Sequence, residues 1–224
     1  MNSDSECQIN FPTCPVCNSQ NWKLLYKGPV RDGSFGDYRE SQIHRCTKCS
    51  TDRLAEDACL THDAYETPKY RALLDQNHNI NDHYAVHDEL ANFTLNVLWP
   101  RTLRGKTIAD VGCGGGALLD HFQGISSSLI AIDPAASFSD SLSSRGYHWF
   151  ANTIDAIEHY YGLVDVVLST QVIEHVSNPR EFLNEIGLLL APGGIAVVST
   201  PNRRDILMEL LPDDFLQFFY RTQH

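Results

Sequence analysis

One nine-residue stretch limits the fold of this chain more than any other: an apolar run that passes directly into a cluster of glycines. Residues 108–116 read Ile-Ala-Asp-Val-Gly-Cys-Gly-Gly-Gly, so a buried strand ends in a tight turn that glycine accommodates best. A helical segment follows near residues 116–122. The free amides and positive dipole at the start of a helix favour a ligand close to such a turn. The pattern therefore predicts a ligand site at the end of this strand.

Strands and helices alternate through the rest of the chain. Strand-like runs occur at residues 107–111, 129–132, 164–169 and 195–199, with a weaker one at 147–151, and helical segments near 116–122, 136–144 and 179–190. Such alternation implies right-handed crossovers and parallel strands. We therefore expect an α/β fold with a Rossmann-like, mostly parallel, doubly wound sheet. Residues 82–99 show one-face apolar spacing and predict a further helix ahead of it.

Two carboxylates accompany the glycine turn. Asp110 lies two residues before Gly112, and Asp133 ends the next predicted strand. The spacing Gly112-x-Gly114-x-x-Ala117 also satisfies the dinucleotide fingerprint, in which an acidic residue after the second strand binds the ribose hydroxyls. A nicotinamide or flavin enzyme is therefore an alternative on this motif alone. Structural roles are alternatives as well, a turn contact for Asp110 and a helix N-cap for Asp133.

The fourth strand–helix unit is more specific. The strand at 164–169 is followed by Glu174-His175-Val176, and Pro192-Gly193-Gly194 precedes the last strand. Together with Asp-Val-Gly-x-Gly-x-Gly and Ile-Asp-Pro, this layout over about residues 82–202 resembles class I S-adenosylmethionine-dependent methyltransferases. It resembles in particular the ubiquinone-biosynthesis O-methyltransferases and the bacterial sugar or polysaccharide methyltransferases. The resemblance favours S-adenosylmethionine over a dinucleotide as the cofactor.

The resemblance also implies which residues bind this cofactor. Gly112 and Gly114 are expected beside its homocysteine part, Asp110 beside its ammonium group, and Asp133 on its ribose. The remaining positions that the resemblance places around the cofactor are Thr153, Ile154, Ser169 and Thr170. The first two would border the adenine, and the last two would contribute backbone contacts.

Methyl transfer to an oxygen nucleophile is helped by a base that takes up the proton. His175, just past the fourth strand, is the candidate base, because an unperturbed imidazole has a pKa near ~6.5. A structural hydrogen-bonding role is the alternative. Glu174 is the second candidate, as a residue that holds the substrate or a metal ion, although Gln171 stands where related sequences often carry glutamate. The expected acceptor is a hydroxyl of a phenol or quinone precursor, or a carbon, oxygen or nitrogen of a nucleotide-linked sugar.

Two C-x₂-C pairs lie near the N-terminus, Cys14/Cys17 and Cys46/Cys49. Four thiolates at this spacing predict a tetrahedral Zn²⁺ site, and a structural one, because no coordination position is left for water. Unpaired or redox-active cysteines are the alternative. The arrangement resembles that of sugar methyltransferases with a zinc module ahead of the methyltransferase domain.

The composition limits the location and the partners. Lys and Arg number 17 against 28 Asp and Glu, for a net charge of −11. An acidic surface repels phosphate backbones, so we expect a small-molecule substrate and no nucleic acid. The sequence shows neither an apolar run of ~18 residues nor a signal-peptide pattern, and so predicts a cytoplasmic protein without a membrane span. A homodimer is the oligomeric state considered.

These features divide the chain into a zinc-binding module (residues 1–58), a helical lid or linker (59–105) and a methyltransferase domain (106–224). The resemblance implies two more strands after the last predicted one. The 24 residues that follow Thr200 predict helices only, so we expect a sheet without those strands. A non-catalytic scaffold, binding a partner through its zinc module, is the second functional hypothesis. The intact cofactor residues listed above favour the enzyme.

Overall fold

The computed structural model describes residues 12–32, 37–55, 84, 94–98 and 102–222. They form a small antiparallel sheet near the N-terminus and a larger parallel sheet with helices on both faces. Most of the predicted lid lies outside the described residues, although Tyr84 and residues 94–98 within it are helical. None of the described helices has the length and apolar character that crossing a membrane requires.

The small sheet consists of β1 (Trp22–Arg31), β2 (Tyr38–Cys46) and β3 (Asp52–Leu54), in the order β1-β2-β3. All its pairs are antiparallel, and the β1–β2 register shifts between Leu24 and Tyr26. Its buried core contains Val30, Ile43 and Leu54. Such a small core provides little stability by itself, so this sheet needs support from a metal ion or from the rest of the chain.

The large sheet is built by regular alternation of strands and helices. Its strands are β4 (Thr107–Val111), β5 (Ser128–Ile132), β6 (His148–Phe150), β7 (Val164–Thr170) and β8 (Leu190–Ser199). The helices between them are α1 (Ala117–Asp120), α2 (Ser139–Ser144), α3 (Thr153–Tyr160) and α4 (Pro179–Leu189). Short 3-10 turns, Ala136–Phe138 and Ile173–His175, precede α2 and α4. After β8 come α5 (Leu207–Leu210) and α6 (Pro212–Phe219).

The strand order of this sheet is β6-β5-β4-β7-β8, and every pair is parallel. The order reverses between β4 and β7, and open α/β sheets bind their ligands at such a switch point, beyond the carboxyl ends of the strands. The predicted α/β class with a doubly wound parallel sheet is confirmed. The glycine cluster follows β4 and so lies at this switch point.

Two apolar layers cover the two faces of the large sheet. On one face, Leu119 of α1 and Leu142 of α2 pack with Ile108 and Leu168. On the other face, α3 and α4 pack over Ala109, Val111 and Val167. The central strands are accordingly buried on both sides, which explains why they read as continuous apolar runs. The carboxyl ends of these strands are held in place by both layers.

The helix α3 was not predicted from the sequence, although its start carries a recognisable signal. The Asn152 side chain accepts a hydrogen bond from the Asp155 amide at 2.9 Å and donates one to the Asp155 carboxylate at 2.9 Å. This reciprocal pair is a variant of the capping box. The Pro192-Gly193-Gly194 segment, predicted to precede the last strand, lies within β8.

The C-terminal segment returns to the small sheet. Thr222 donates its amide to the Arg31 carbonyl at 3.0 Å and its hydroxyl to the Asp32 carboxylate at 2.6 Å. The Tyr220 hydroxyl donates to the buried carboxylate of Asp52 at 2.8 Å, and its ring packs on the small core. Hydrogen bonds between residues as far as 190 positions apart in sequence therefore join the small sheet to the C-terminal segment.

Candidate cofactor and metal sites

The glycine cluster forms a tight loop between β4 and α1. Gly112, Gly114 and Gly116 have φ values of +80°, +53° and +81°, in the left-handed region that favours glycine. A Cβ at Gly112 would lie 2.3 Å from Cγ2 of Val172, so this position also lacks the space for a side chain. The loop amides of Gly112 and Cys113 bond to the Ile132 carbonyl at the end of β5. The loop is therefore held against the ends of two strands.

Two buried carboxylates lie beside this loop. Asp133 accepts hydrogen bonds from the amides of Gly114 at 2.7 Å and Ala135 at 2.9 Å. Among the described residues no hydrogen-bond donor reaches the carboxylate of Asp110, which is 4% exposed. Burial, and then the nearby charge of Asp133, raise the pKa of Asp110 to about 7. A cationic ligand would relieve both effects, so the pair fits a ligand with an ammonium or sulfonium group.

The sequence also allowed purely structural roles for these two residues, a turn contact for Asp110 and a helix N-cap for Asp133, and the structure separates the two cases. Asp133 does order local backbone, because it bonds to the amide two residues ahead of it. A turn contact for Asp110 is absent among the described residues. Asp110 is therefore the harder of the two to explain without a ligand.

Glu174 and His175 lie in the 3-10 turn after β7, at the same end of the sheet. Oε2 of Glu174 accepts a hydrogen bond from Oγ1 of Thr200 at 3.2 Å, and Oε1 is buried without a hydrogen-bond partner among the described residues. Burial raises the pKa of Glu174. His175 is half-buried in the same turn. The turn follows Gln171, which has a φ of +56° that non-glycine residues rarely adopt.

The other predicted cofactor residues differ in exposure. Thr153, the first residue of α3, is 7% exposed, whereas Ile154 beside it is 61% exposed. Ser169 is fully buried, and its hydroxyl has no hydrogen-bond partner among the described residues. Thr170 ends β7 and is half-buried. These positions, like the carboxylates, lie at or just beyond the carboxyl ends of strands, and their roles stay predictions.

Sequence reasoning missed a polar cluster behind the glycine loop. Arg145 donates to the carbonyl of Gly115 and to both oxygens of Asp120, at 2.6 and 2.8 Å. The hydroxyl of Tyr147 donates to the same carboxylate. The only sequence signal at Arg145 is a basic residue before a glycine at the end of a helix, which reads as an ordinary C-cap.

The four predicted metal ligands come together. Every pair of Sγ atoms among Cys14, Cys17, Cys46 and Cys49 lies within 4.8 Å, with 3.6 Å between Cys14 and Cys49 and 3.5 Å between Cys17 and Cys46. Tetrahedral Zn²⁺ with bonds of about 2.3 Å needs sulfur atoms about 3.8 Å apart, so the cluster fits this ion. The two knuckles also match in their backbone. The amides of Asn18 and Ser50 each bond at 2.9 Å to the carbonyl of the first cysteine in their pair.

The knuckle backbone also favours thiolates. Burial would raise the pKa of Cys46, but hydrogen bonds from the amides of Cys49 and Lys48, together with those from the Cys17 and Cys49 side chains, outweigh it and lower that pKa to about 6. Burial and the neighbouring sulfurs raise the pKa of Cys17 to about 12. Four sulfurs this close cannot all ionise without a cation among them. A divalent soft metal supplies that charge.

Comparison with known proteins decides the family. Residues 82–224, more than half of the chain, match the family described as a methyltransferase domain. The chain belongs to the methyltransferase domain family. Its match begins within the predicted lid and takes in the large sheet together with α5 and α6.

Individual relatives of this methyltransferase domain share a third or less of their residues with it. The ubiquinone biosynthesis O-methyltransferase of Brucella ovis is 32% identical over 126 residues, which cover 54% of this chain and 51% of that protein. The protein of the same name from Rhizobium etli is 31% identical over the same coverage. The chain thus spans about half the length of these curated relatives. A solved S-adenosylmethionine-dependent methyltransferase from Archaeoglobus fulgidus is 20% identical, with a TM-score of 0.44 and coverage of 55% and 59% of the two chains.

Proposed function

We propose that this chain binds S-adenosylmethionine at the glycine loop and transfers its methyl group to a small-molecule acceptor. The buried pair Asp110 and Asp133 carries the proposal, since two carboxylates at the switch point of the sheet ionise together only in part at neutral pH unless a cationic ligand lies beside them. Membership of the methyltransferase domain family supports the same cofactor. A dinucleotide, whose recognition needs only the second carboxylate, leaves Asp110 without a role.

Each part of the cofactor has its own set of residues in this proposal. Asp110 and the loop at Gly112 and Gly114 hold the amino acid part, and Asp133 accepts hydrogen bonds from the ribose hydroxyls. The positions assigned to the adenine and to backbone contacts are those predicted from the sequence: Thr153, Ile154, Ser169 and Thr170. The buried hydroxyl of Ser169, which has no hydrogen-bond partner within the described part of the chain, supports a polar contact near the end of β7.

The cofactor supplies an electrophilic methyl group, and the chain supplies orientation and proton removal. His175 accepts the proton of an attacking hydroxyl. Glu174 orients the acceptor, because Thr200 holds one of its oxygens, and the other is buried with no donor from the residues that the structure describes. The acceptor class is a phenol or quinone-precursor hydroxyl, as the names of the relatives suggest, or a position on a nucleotide-linked sugar.

The N-terminal cysteines form a structural zinc site in the same proposal. The sulfur distances, the amide hydrogen bonds to the thiolates and the small core of β1–β3 all support it. The chain then divides into a zinc module (1–58), a lid (59–105) and a methyltransferase domain (106–224). The cytoplasmic location, the homodimer and the absence of nucleic acid from the partners stay predictions of the sequence.

The test is calorimetric titration of S-adenosylmethionine and S-adenosylhomocysteine into the zinc-loaded chain. Micromolar binding is expected for the wild type, and a loss of at least about tenfold for Asp110→Asn, which removes a charge-assisted contact without changing the shape of the residue. Asp140→Asn removes an exposed carboxylate of α2 and is the matched control. A folded, zinc-loaded wild type that binds neither ligand would favour the non-catalytic scaffold over the enzyme.

A further inference from the structure

A single guanidinium connects the glycine loop to the helices α1 and α2. Arg145 follows α2, and its Nη2 donates to the carbonyl of Gly115 in the loop. Its Nη1 contacts both oxygens of Asp120, at 2.6 and 2.8 Å, where α1 ends. Its Nε donates to the Ser141 carbonyl at 3.3 Å. The planar fork of arginine can serve these three directions at once, and a lysine cannot.

Two tyrosine rings flank this guanidinium. Its central carbon lies 5.0 Å from the ring centroid of Tyr147 and 5.8 Å from that of Tyr84, within the range of cation–π attraction. The Tyr147 hydroxyl donates to Asp120 and accepts from Gln123 at 2.8 Å, so this ring is fixed as well. Arg145 therefore has little freedom to leave the loop.

Tyr84 adds a second donor to the same loop carbonyl. Its hydroxyl donates to the Gly115 oxygen at 3.2 Å, so that oxygen accepts from both Tyr84 and Arg145. A carbonyl has two lone pairs and can accept both bonds. Tyr84 lies ahead of β4 in the sequence, and this contact joins its side chain to the loop.

The consequence is a loop peptide with one permitted orientation. The carbonyl of the peptide between Gly115 and Gly116 is held by two donors, and its N–H donates to the Cys113 carbonyl at 2.9 Å. A Cβ at Gly116 would lie 2.7 Å from Cδ2 of Leu142 and 3.3 Å from Nη2 of Arg145, so the packing there is already tight. A rotation of this peptide would break every one of these bonds. The loop is thus preorganised before any ligand arrives.

We propose that Arg145 is a positioning residue for the cofactor, acting through the Gly115 carbonyl, with Tyr84 as its partner. The inference rests on the proposed function, because the loop is taken to receive the amino acid part of S-adenosylmethionine. The ion pair with Asp120 is partly exposed, at 21% for the Arg145 side chain and 37% for that of Asp120, so it contributes less to stability than a fully buried pair would. Removing the guanidinium releases the loop, so binding of the amino acid part weakens while the adenosine end is unaffected.

The experiment compares two ligands that differ in that part alone. S-adenosylhomocysteine contains the amino acid, and 5′-methylthioadenosine lacks it; both are titrated into the zinc-loaded full chain by calorimetry. Arg145→Gln is expected to weaken the first ligand by at least about tenfold and the second by less than about twofold. Arg145→Lys falls between, because a single ammonium nitrogen keeps the charge but cannot span the separate acceptors that Nε, Nη1 and Nη2 of the guanidinium reach. Arg180→Gln, on the exposed side of α4, is the matched control and changes neither affinity.

A second and milder variant tests the same loop contact in case Arg145→Gln does not fold. Tyr84→Phe keeps the ring and the charge of Arg145 but deletes one donor to Gly115, and it is expected to weaken S-adenosylhomocysteine by about threefold. Equal losses for the two ligands, or no loss in either variant, overturn the positioning role while leaving the proposed function intact. A wild type that binds neither ligand overturns the proposed function itself.

Discussion

Replacing Asp110 by asparagine tests the electrostatics of the glycine loop without any ligand. The carboxylate of Asp110 is buried beside Asp133, and its pKa is raised from 3.8 to about 7 in the folded protein. The folded state therefore holds this proton more tightly than the unfolded chain does. The stability that the protonated carboxyl contributes is complete below pH 3.8 and is lost as the pH rises to 7.

The size of the effect follows from the two pKa values. Each unit of pH between them costs the folded state about 1.4 kcal/mol, and the loss levels off above the folded-state value. Between pH 5 and pH 8 the wild type should lose about 2.5 kcal/mol more than Asp110→Asn, whose amide does not titrate. For a chain of this length, that difference corresponds to about 5–10 °C in Tm.

The assay is urea unfolding, followed by circular dichroism, at several pH values from 5 to 8 for both proteins. Histidines and other groups titrate in the same window, but they are common to both chains and cancel in the difference. Asp140→Asn supplies the control for loss of a carboxylate at an exposed position. Saturating S-adenosylmethionine should flatten the wild-type curve, because a cation beside Asp110 favours its ionised form. If the curves of wild type and Asp110→Asn run parallel, the raised pKa of Asp110 is refuted.

Three further predictions concern the metal site, the loop and the C-terminal segment. Native mass spectrometry should find one zinc ion per chain and none after Cys46→Ser, and a metal-free wild type would contradict the zinc site. Gly112→Ala should abolish S-adenosylhomocysteine binding, since its Cβ would lie 2.3 Å from a neighbouring side chain; Gly105→Ala, equally left-handed but in open space, should still bind. Tyr220→Phe should lower the free energy of unfolding by about 1–2 kcal/mol through the lost hydrogen bond to a buried carboxylate, whereas Tyr161→Phe, 66% exposed, should not. Equal effects of the two tyrosine changes would show that the hydrogen bond between Tyr220 and Asp52 does not contribute to the free energy of unfolding.

The large sheet was predictable because its signals are local. The run 107–111 was predicted and found with the same bounds, and α4 ends one residue before its predicted limit. Buried parallel strands read as short apolar runs, and glycines mark the turn that follows β4. Each C-x₂-C pair was equally easy to predict, since its two cysteines belong to one knuckle. Only the approach of the two knuckles to each other depends on the tertiary fold.

The prediction from sequence was wrong for one helix, whose start signal is weak, and for the start of one strand, where Pro and Gly favour a turn. The helix α3, residues 153–160, begins at an asparagine cap, a signal too weak to predict a helix there. The Pro-Gly-Gly segment predicts a boundary before the last strand, yet the strand extends through it and starts at Leu190. Its pairing with β7 carries a register shift there, which is how a strand accommodates such residues.

By itself, the sequence determined the fold class, the glycine loop after β4 and the two C-x₂-C pairs, because each depends on neighbours within a few residues. Only the tertiary structure decided which distant groups meet. Arg145 reaches a loop 30 residues before it, and Thr222 reaches Asp32 across 190 residues. Burial and the charge of Asp133 raise the pKa of Asp110, and both arise only when the parallel strands come together. Contacts of this kind follow from how the chain packs around the sheet, and no local pattern of residues encodes them.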